Sequence, residues 1–215
     1  MPDVDSIPAA PPARLPTGER QALIVAAAIT LAGRHSPAAI TTGDIAREVG
    51  VTQGALFKHF PSREAIWLAV MEWVTQHLLA RLEGAARAPT ENGSASPALD
   101  ALARVFAAHI KFVRECPGVP RLIFHDLQQP ADSPLKRQLG LLLQQYRQML
   151  TRLLQDAVKH GEVPANLDVA ASTTMFIGIV QGLAMQSILN GPRADLSAEA
   201  ARVFPLYLRS IRKTP

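Results

Sequence analysis

Residues 52–59, TQGALFKH, set a threonine, a glutamine, a glycine and an alanine in succession, then bring a phenylalanine, a lysine and a histidine. On one short helix these types could address a nucleic-acid duplex. A glutamine carboxamide pairs bidentately with adenine, and an alanine methyl can meet the thymine methyl. Lys58, His59 and the hydroxyls of Thr42 and Thr52 at helix N-termini can reach phosphate oxygens. Gly54 lets the backbone come close. A second set, His109, His125 and Asp126, has side chains suited to metal binding or acid–base work. It shows no ligand spacing, and no Gly-rich phosphate loop or GxSxG accompanies it. Histidines satisfied in a core or on a helix surface are the plainer reading of that set.

The elements around residues 41–60 decide how the first set is presented. Thr41 with Asp44 three positions on forms a capping box that starts a helix at about 42–49, with Ile45, Ala46 and Val49 on its apolar face. Gly50 suits the left-handed position past a helix end. Val51 fills the corner, and Thr52 caps a second helix at about 53–59. Leu56 and Phe60 turn inward, so Gln53, Gly54, Ala55, Phe57, Lys58 and His59 lie at or near the outer surface. Helices this short need bracing. A first helix at about 17–34 supplies it, with Thr17 as N-cap and Leu23, Ile24, Ala27, Ala28 and Leu31 as its stripe. So does a long helix from Ser62, with Ile66, Val70, Trp73, Val74 and His77 on one face. Two helices joined by a short Gly-containing turn are the unit that sets its second helix in the DNA major groove.

Across 215 residues, 48% are apolar and the formal charge is +4. That excludes wholesale disorder and is compatible with a nucleic-acid partner. The single cysteine, Cys116, has no partner for an internal disulfide, which fits a reduced, cytoplasmic compartment. Runs of alternating β-formers are nearly absent. Helical patterns recur at about 98–115, 119–128, 133–160, 165–189 and 196–212. The expected fold is all-α with about nine helices: a disordered arm at 1–15, a helix-turn-helix domain at 16–62, a long connecting helix at 63–87, a linker at 88–97 and an effector-binding and dimerisation domain at 98–215. The arm has neither signal-peptide nor transit-peptide character. From Val169 to Pro192 no residue is charged. Serines, threonines and glutamines interrupt that stretch and no second span exists, so a buried helix is expected rather than a membrane segment.

Residues 20–73, and above all IAREVGVTQGALFKHFPSREAI, resemble the N-terminal DNA-binding domain of the TetR family of bacterial transcriptional regulators. The resemblance puts Gln53, Gly54 and Ala55 at base edges, and Thr42, Thr52, Phe57, Lys58, His59 and Arg63 along the phosphates. Phe57 stands where the family usually has tyrosine, which removes a hydroxyl. Arg63 replaces the usual lysine, and RHSPAAITT lacks the family's glycine before the second helix. Residues 14–63 carry six cations against three anions, a modest excess. Recognition should therefore rest on geometry and paired half-sites as much as on field. Arg14 in the arm could add a minor-groove contact.

One short helix reads few base pairs, so a homodimer on a palindromic operator is expected. The uncharged helix is the expected interface, since Gly178 and Gly182, four apart, allow close helix approach. The last helix adds Val203, Leu206 and Tyr207. A pocket for a small hydrophobic effector is expected among Phe106, His109, Ile110, Val113, Phe124, His125, Tyr146, Met149, Met175, Phe176 and Gln181. Residues 116–127 would link it to the end of the long helix. The resemblance implies a regulator, usually a repressor, and not an enzyme. No cofactor or metal is expected. The competing readings are a helical protein-interaction module without DNA binding and a helical enzyme.

Overall fold

The computed structural model of the protein describes residues 16–89, 94–128, 132–191 and 195–212. The arm, with Arg14, and residues 90–93 of the linker lie outside them. Among the described residues there are nine α-helices and no strand. They are α1 (Thr17–Arg34), α2 (Thr42–Val49), α3 (Gln53–Phe57), α4 (Arg63–Arg87), α5 (Pro97–Glu115), α6 (Gly118–Leu127), α7 (Pro134–Lys159), α8 (Val169–Asn190) and α9 (Leu196–Ile211). A 3₁₀ turn, Pro37–Ala39, precedes α2.

Side-chain caps start most of the helices. Thr41, Thr52, Ser62, Ser133, Asp168 and Asp195 each accept a hydrogen bond from the amide three residues on. That satisfies a donor the helix itself leaves open. The expected cap at Thr17 is displaced by one residue: Pro16 occupies the N-cap position without a side-chain bond. Leu23 is exposed, so the buried stripe of α1 runs through Ile24, Ala27, Ala28 and Leu31 without it. His77 also turns outward, stacked on Trp73 with ring centroids 4.2 Å apart.

The buried residues form one contiguous core from α1 to α9. Helix α4 packs against α1, α5 and α7. A cluster of Phe106, Tyr146, Phe176, Phe204 and Tyr207 joins α5, α7, α8 and α9. Glu162, in the turn after α7, staples the start of α5: its carboxylate accepts from the amides of Ala98 (3.0 Å) and Leu99 (2.9 Å). Its side chain is 1% exposed. A buried anion on two open amides at a positive helix end is well placed. Glu162→Ala leaves both donors unsatisfied and should lower stability by about 1–3 kcal/mol. The check is the denaturant midpoint at constant m-value, and an unmoved midpoint contradicts the staple.

Candidate nucleic-acid interface and ligand cavity

The turn between α2 and α3 follows from five residues. The Thr41 hydroxyl accepts from Asp44 N (3.1 Å) while Thr41 N donates to the Asp44 carboxylate (2.9 Å). The Thr41 hydroxyl also donates to the Asp44 carboxylate at 2.7 Å, and this bond above all, with that of the Thr41 amide, holds the Asp44 carboxyl down at about 2. Gly50 sits at φ 73°, and its amide closes onto the carbonyls of Ala46 and Arg47. Only glycine takes that conformation without strain. Val51 N then bonds Ala46 O at 2.9 Å, and Thr52 caps α3.

Leu56 is 0% exposed and Phe60 is buried, so α3 stands on the core formed by α1, α2 and α4. Gln53, Gly54, Phe57 and Lys58 are exposed, and Ala55 is half-buried. A Cβ built on Gly54 meets nothing within 4 Å. The helix is shorter than expected, five residues, because Lys58 N and His59 N bond the carbonyls three residues back and tighten the chain into a turn. Gln53 Nε2 donates to Thr42 Oγ1 at 2.7 Å, which fixes the carboxamide against the start of α2.

Two of the residues expected along phosphates are placed otherwise. Arg63 folds back, its Nη2 donating to the carbonyls of Pro37 and of Ala38. It thereby anchors α4 to the 3₁₀ turn that stands in for the missing glycine. His59 is half-buried, with Nδ1 enclosed, because its backbone carbonyl is drawn toward Gln21 of α1 (3.4 Å). Other cations are engaged too. Arg47 pairs with Asp44 at 3.0 Å and Arg34 with Glu48 at 3.6 Å. Lys58 has no acidic partner among the described residues.

A cavity of about 150 Å³ lies between α4, α5, α6, α7 and α8. Of the expected lining, His109, Val113, Phe124, Tyr146 and Gln181 are present. Phe106 and Ile110 instead face the groove between α5 and α9. Phe176 and Met149 are core, and Met175 is exposed on α8. His125 and Asp126 lie in a separate depression beside α4, with Asp126 accepting from Ser133 Oγ (2.9 Å). They do not converge with His109, and no group of three metal-ligating side chains occurs among the described residues. Sequence reasoning missed the aliphatic wall, above all Val119, Pro120 and Ile123 of α6 and Leu139, Leu142 and Leu143 of α7. An aliphatic residue facing a void has the same helical spacing as one facing a neighbour.

Helix α6 has a second face, and it meets α1 rather than the end of α4. A Cβ on Gly118 would lie 2.1 Å from Ile29 O and 2.8 Å from Gly33 N. The two backbones touch there. Helix α6 thus joins the cavity wall to α1.

Helix α8 is long and apolar enough by length and composition to cross a bilayer. It is only half-buried, which corrects the expectation of a buried helix. Phe176, Ile177, Val180 and Leu183 face the core, whereas Met175, Gly178, Gly182, Met185 and Leu189 (78% exposed) face outward. Cβ atoms on Gly178 and Gly182 would meet nothing within 4 Å, so neither glycine serves packing inside the subunit. On α9, Leu206 also faces outward, at 54% exposed. Tyr207 does not: it is 2% exposed, and its hydroxyl donates to Ser172 O at 3.2 Å.

Residues 24–70 match the family described as bacterial regulatory proteins, tetR family, and residues 126–203 match the tetracyclin repressor-like C-terminal domain. The nucleoid occlusion factor SlmA of Marinomonas sp. is 23% identical over 188 residues, covering 87% of this chain and 90% of that protein. Among solved structures, the fatty acid degradation regulator FadR from Bacillus halodurans superposes with a TM-score of 0.77 at 18% identity, covering 91% of this chain and 97% of that one. FadR from Bacillus subtilis in complex with stearoyl-CoA superposes at 0.74 with 20% identity, covering 89% and 99%.

Proposed function

The chain belongs to the tetR family of bacterial regulatory proteins, and from that premise we propose that it is a repressor that binds a palindromic operator as a homodimer and leaves it when a small apolar effector binds. The observation that carries this is the open face of α3. Gln53 and Gly54 are exposed, Gln53 steadied by Thr42, on a rod held from behind by Leu56. In this reading residues 16–62 read DNA, while the helices from α5 onward bind the effector and pair the subunits. Gln53, Gly54 and Ala55 meet base edges, and Thr42, Thr52, Phe57 and Lys58 meet the backbone. Arg63 and His59 support the turn.

The outward ridge of α8 and the adjoining face of α9 supply the dimer contact. An exposed glycine in a helix costs about 1 kcal/mol relative to alanine, and two on one open ridge suit a partner helix approaching closely. Such a contact in a cytoplasmic dimer accounts for an uncharged helix with one open face. The effector acts through α6. A ligand that spreads the wall at Val119 and Ile123 displaces Gly118 against α1, changing the spacing of the two α3 helices. Coupling between two sites is typically about 1–3 kcal/mol. The bound stearoyl-CoA in the Bacillus subtilis relative supports reading an apolar cavity in this fold as a ligand site.

The test is titration of the full chain with random duplexes and with chromosomal fragments at rising salt. A sequence reader keeps a preference of at least about a thousandfold for its site, whereas a preference that vanishes with salt marks binding by charge alone. Lys58→Ala should weaken every duplex alike and reduce the salt slope by about 1. Gln53→Ala should relax choice at one base pair, by about 1–3 kcal/mol. Equal losses for both variants on every duplex contradict these roles.

A further inference from the structure

Among the described residues lining the cavity, only His109, Tyr146 and Gln181 bear polar side-chain atoms, and none is an acid, a lysine or an arginine. Gln181 and Leu127 are exposed, so they mark where the cavity meets solvent. His109 and Tyr146 meet inside it. The His109 Nδ1 lies 2.9 Å from the Tyr146 hydroxyl, and the rings stand edge to face with centroids 5.2 Å apart. Burial holds the His109 imidazolium down to about 4, and burial also keeps the Tyr146 phenol protonated. Both are therefore neutral near pH 7.

A neutral pair of this kind has two hydrogen-bonding arrangements. With Tyr146 donating to Nδ1, the His109 Nε2 carries the proton and serves as a donor. With Nδ1–H donating, Nε2 becomes an acceptor. The pair can therefore meet a carbonyl or a hydroxyl, but it offers no positive charge to a carboxylate or a phosphate. Burying an anion against such a wall is strongly unfavourable. Size sets a second limit: a dry apolar cavity of about 150 Å³ holds a molecule the size of benzene, and this one has a similar volume but opens to solvent at Gln181 and Leu127, which leaves room for a second ring in its mouth.

Resting on the effector-responsive reading above, we propose that this cavity selects a compact, uncharged ring compound of one or two rings with a single hydroxyl or carbonyl, its oxygen seated on the His109–Tyr146 pair. A fatty acid or an acyl-coenzyme A thioester finds no cation in this lining to hold its anionic group inside.

The test is calorimetric titration of the full chain, without DNA, with 2-naphthol, naphthalene and 2-naphthoate. 2-Naphthol should bind about three- to tenfold tighter than naphthalene, the worth of one hydrogen bond. It should bind at least about a hundredfold tighter than the carboxylate. Tyr146→Phe, which keeps the buried ring, and His109→Phe should each bring 2-naphthol down to the level of naphthalene while leaving naphthalene unchanged. The proposal is overturned if 2-naphthoate binds as tightly as 2-naphthol, if 2-naphthol gains nothing over naphthalene, or if none of the three binds. Release from DNA is measured separately. Binding in the stated order without release leaves the ligand class standing and defeats the effector reading; release by 2-naphthoate does the reverse.

Discussion

Gly54→Leu should lower affinity for a specific DNA site by at least about a hundredfold while leaving thermal stability unchanged or slightly higher. The stability half follows from the position. A Cβ at Gly54 meets nothing within 4 Å, and exchanging glycine for a good helix former stabilises a helix by up to about 1 kcal/mol. The binding half follows from what the residue faces. A leucine on that surface holds the rod off the base edges and costs the contacts of Gln53 and Ala55 together. Each base contact is worth about 1–3 kcal/mol, and about 1.4 kcal/mol is a factor of ten. A dimer pays this twice. Few substitutions separate folding from recognition so cleanly, and retained affinity would mean that another surface reads the DNA.

Gly118→Ala should act in the opposite way, on the fold and its internal coupling. The added methyl would sit 2.1 Å from a carbonyl oxygen and 2.8 Å from an amide nitrogen of α1. Neither is the flexible end of a side chain, so α6 must move away from α1 as a body. Overpacking typically costs about 1–3 kcal/mol, and backbone against backbone belongs at the upper end. For a chain of this size that corresponds to a fall in Tm of roughly 5–10 °C. Gly33→Ala, across the same crossing, is the control: its methyl meets Pro117 Cγ at 3.5 Å, an ordinary contact, and Tm should hardly change. Equal melting of both variants with the unaltered protein would show that α6 does not rest on α1 in this way.

The turn that presents α3 was legible residue by residue, because Thr41, Asp44, Gly50, Thr52 and Leu56 act through contacts only a few positions apart. The start of α2 and the start of α4 fell where Thr41 and Ser62 put them. The side-chain fates at the site were less legible. Arg63 carries the right charge for a phosphate, yet the carbonyls that hold it come from residues 37 and 38, 26 and 25 positions away. Phe106 and Phe176 share the spacing of Phe124, and only the stacking of α5 against α8 and α9 makes them core. Tyr207 looked like an interface aromatic until its hydroxyl met Ser172. Long-range packing decides such cases, and periodicity along one helix carries no information about it.

The most direct measurement is selection of bound sites from a random DNA pool by the full chain, with Gly54→Leu protein selected in parallel. If two α3 rods are presented by paired subunits, the enriched sequences form an inverted repeat whose half-sites are separated by about one helical turn, roughly 10 base pairs, or a multiple of it. The variant recovers nothing above background. An unsymmetrical motif, or the same motif recovered by both proteins, would show that α3 is not the surface that reads DNA.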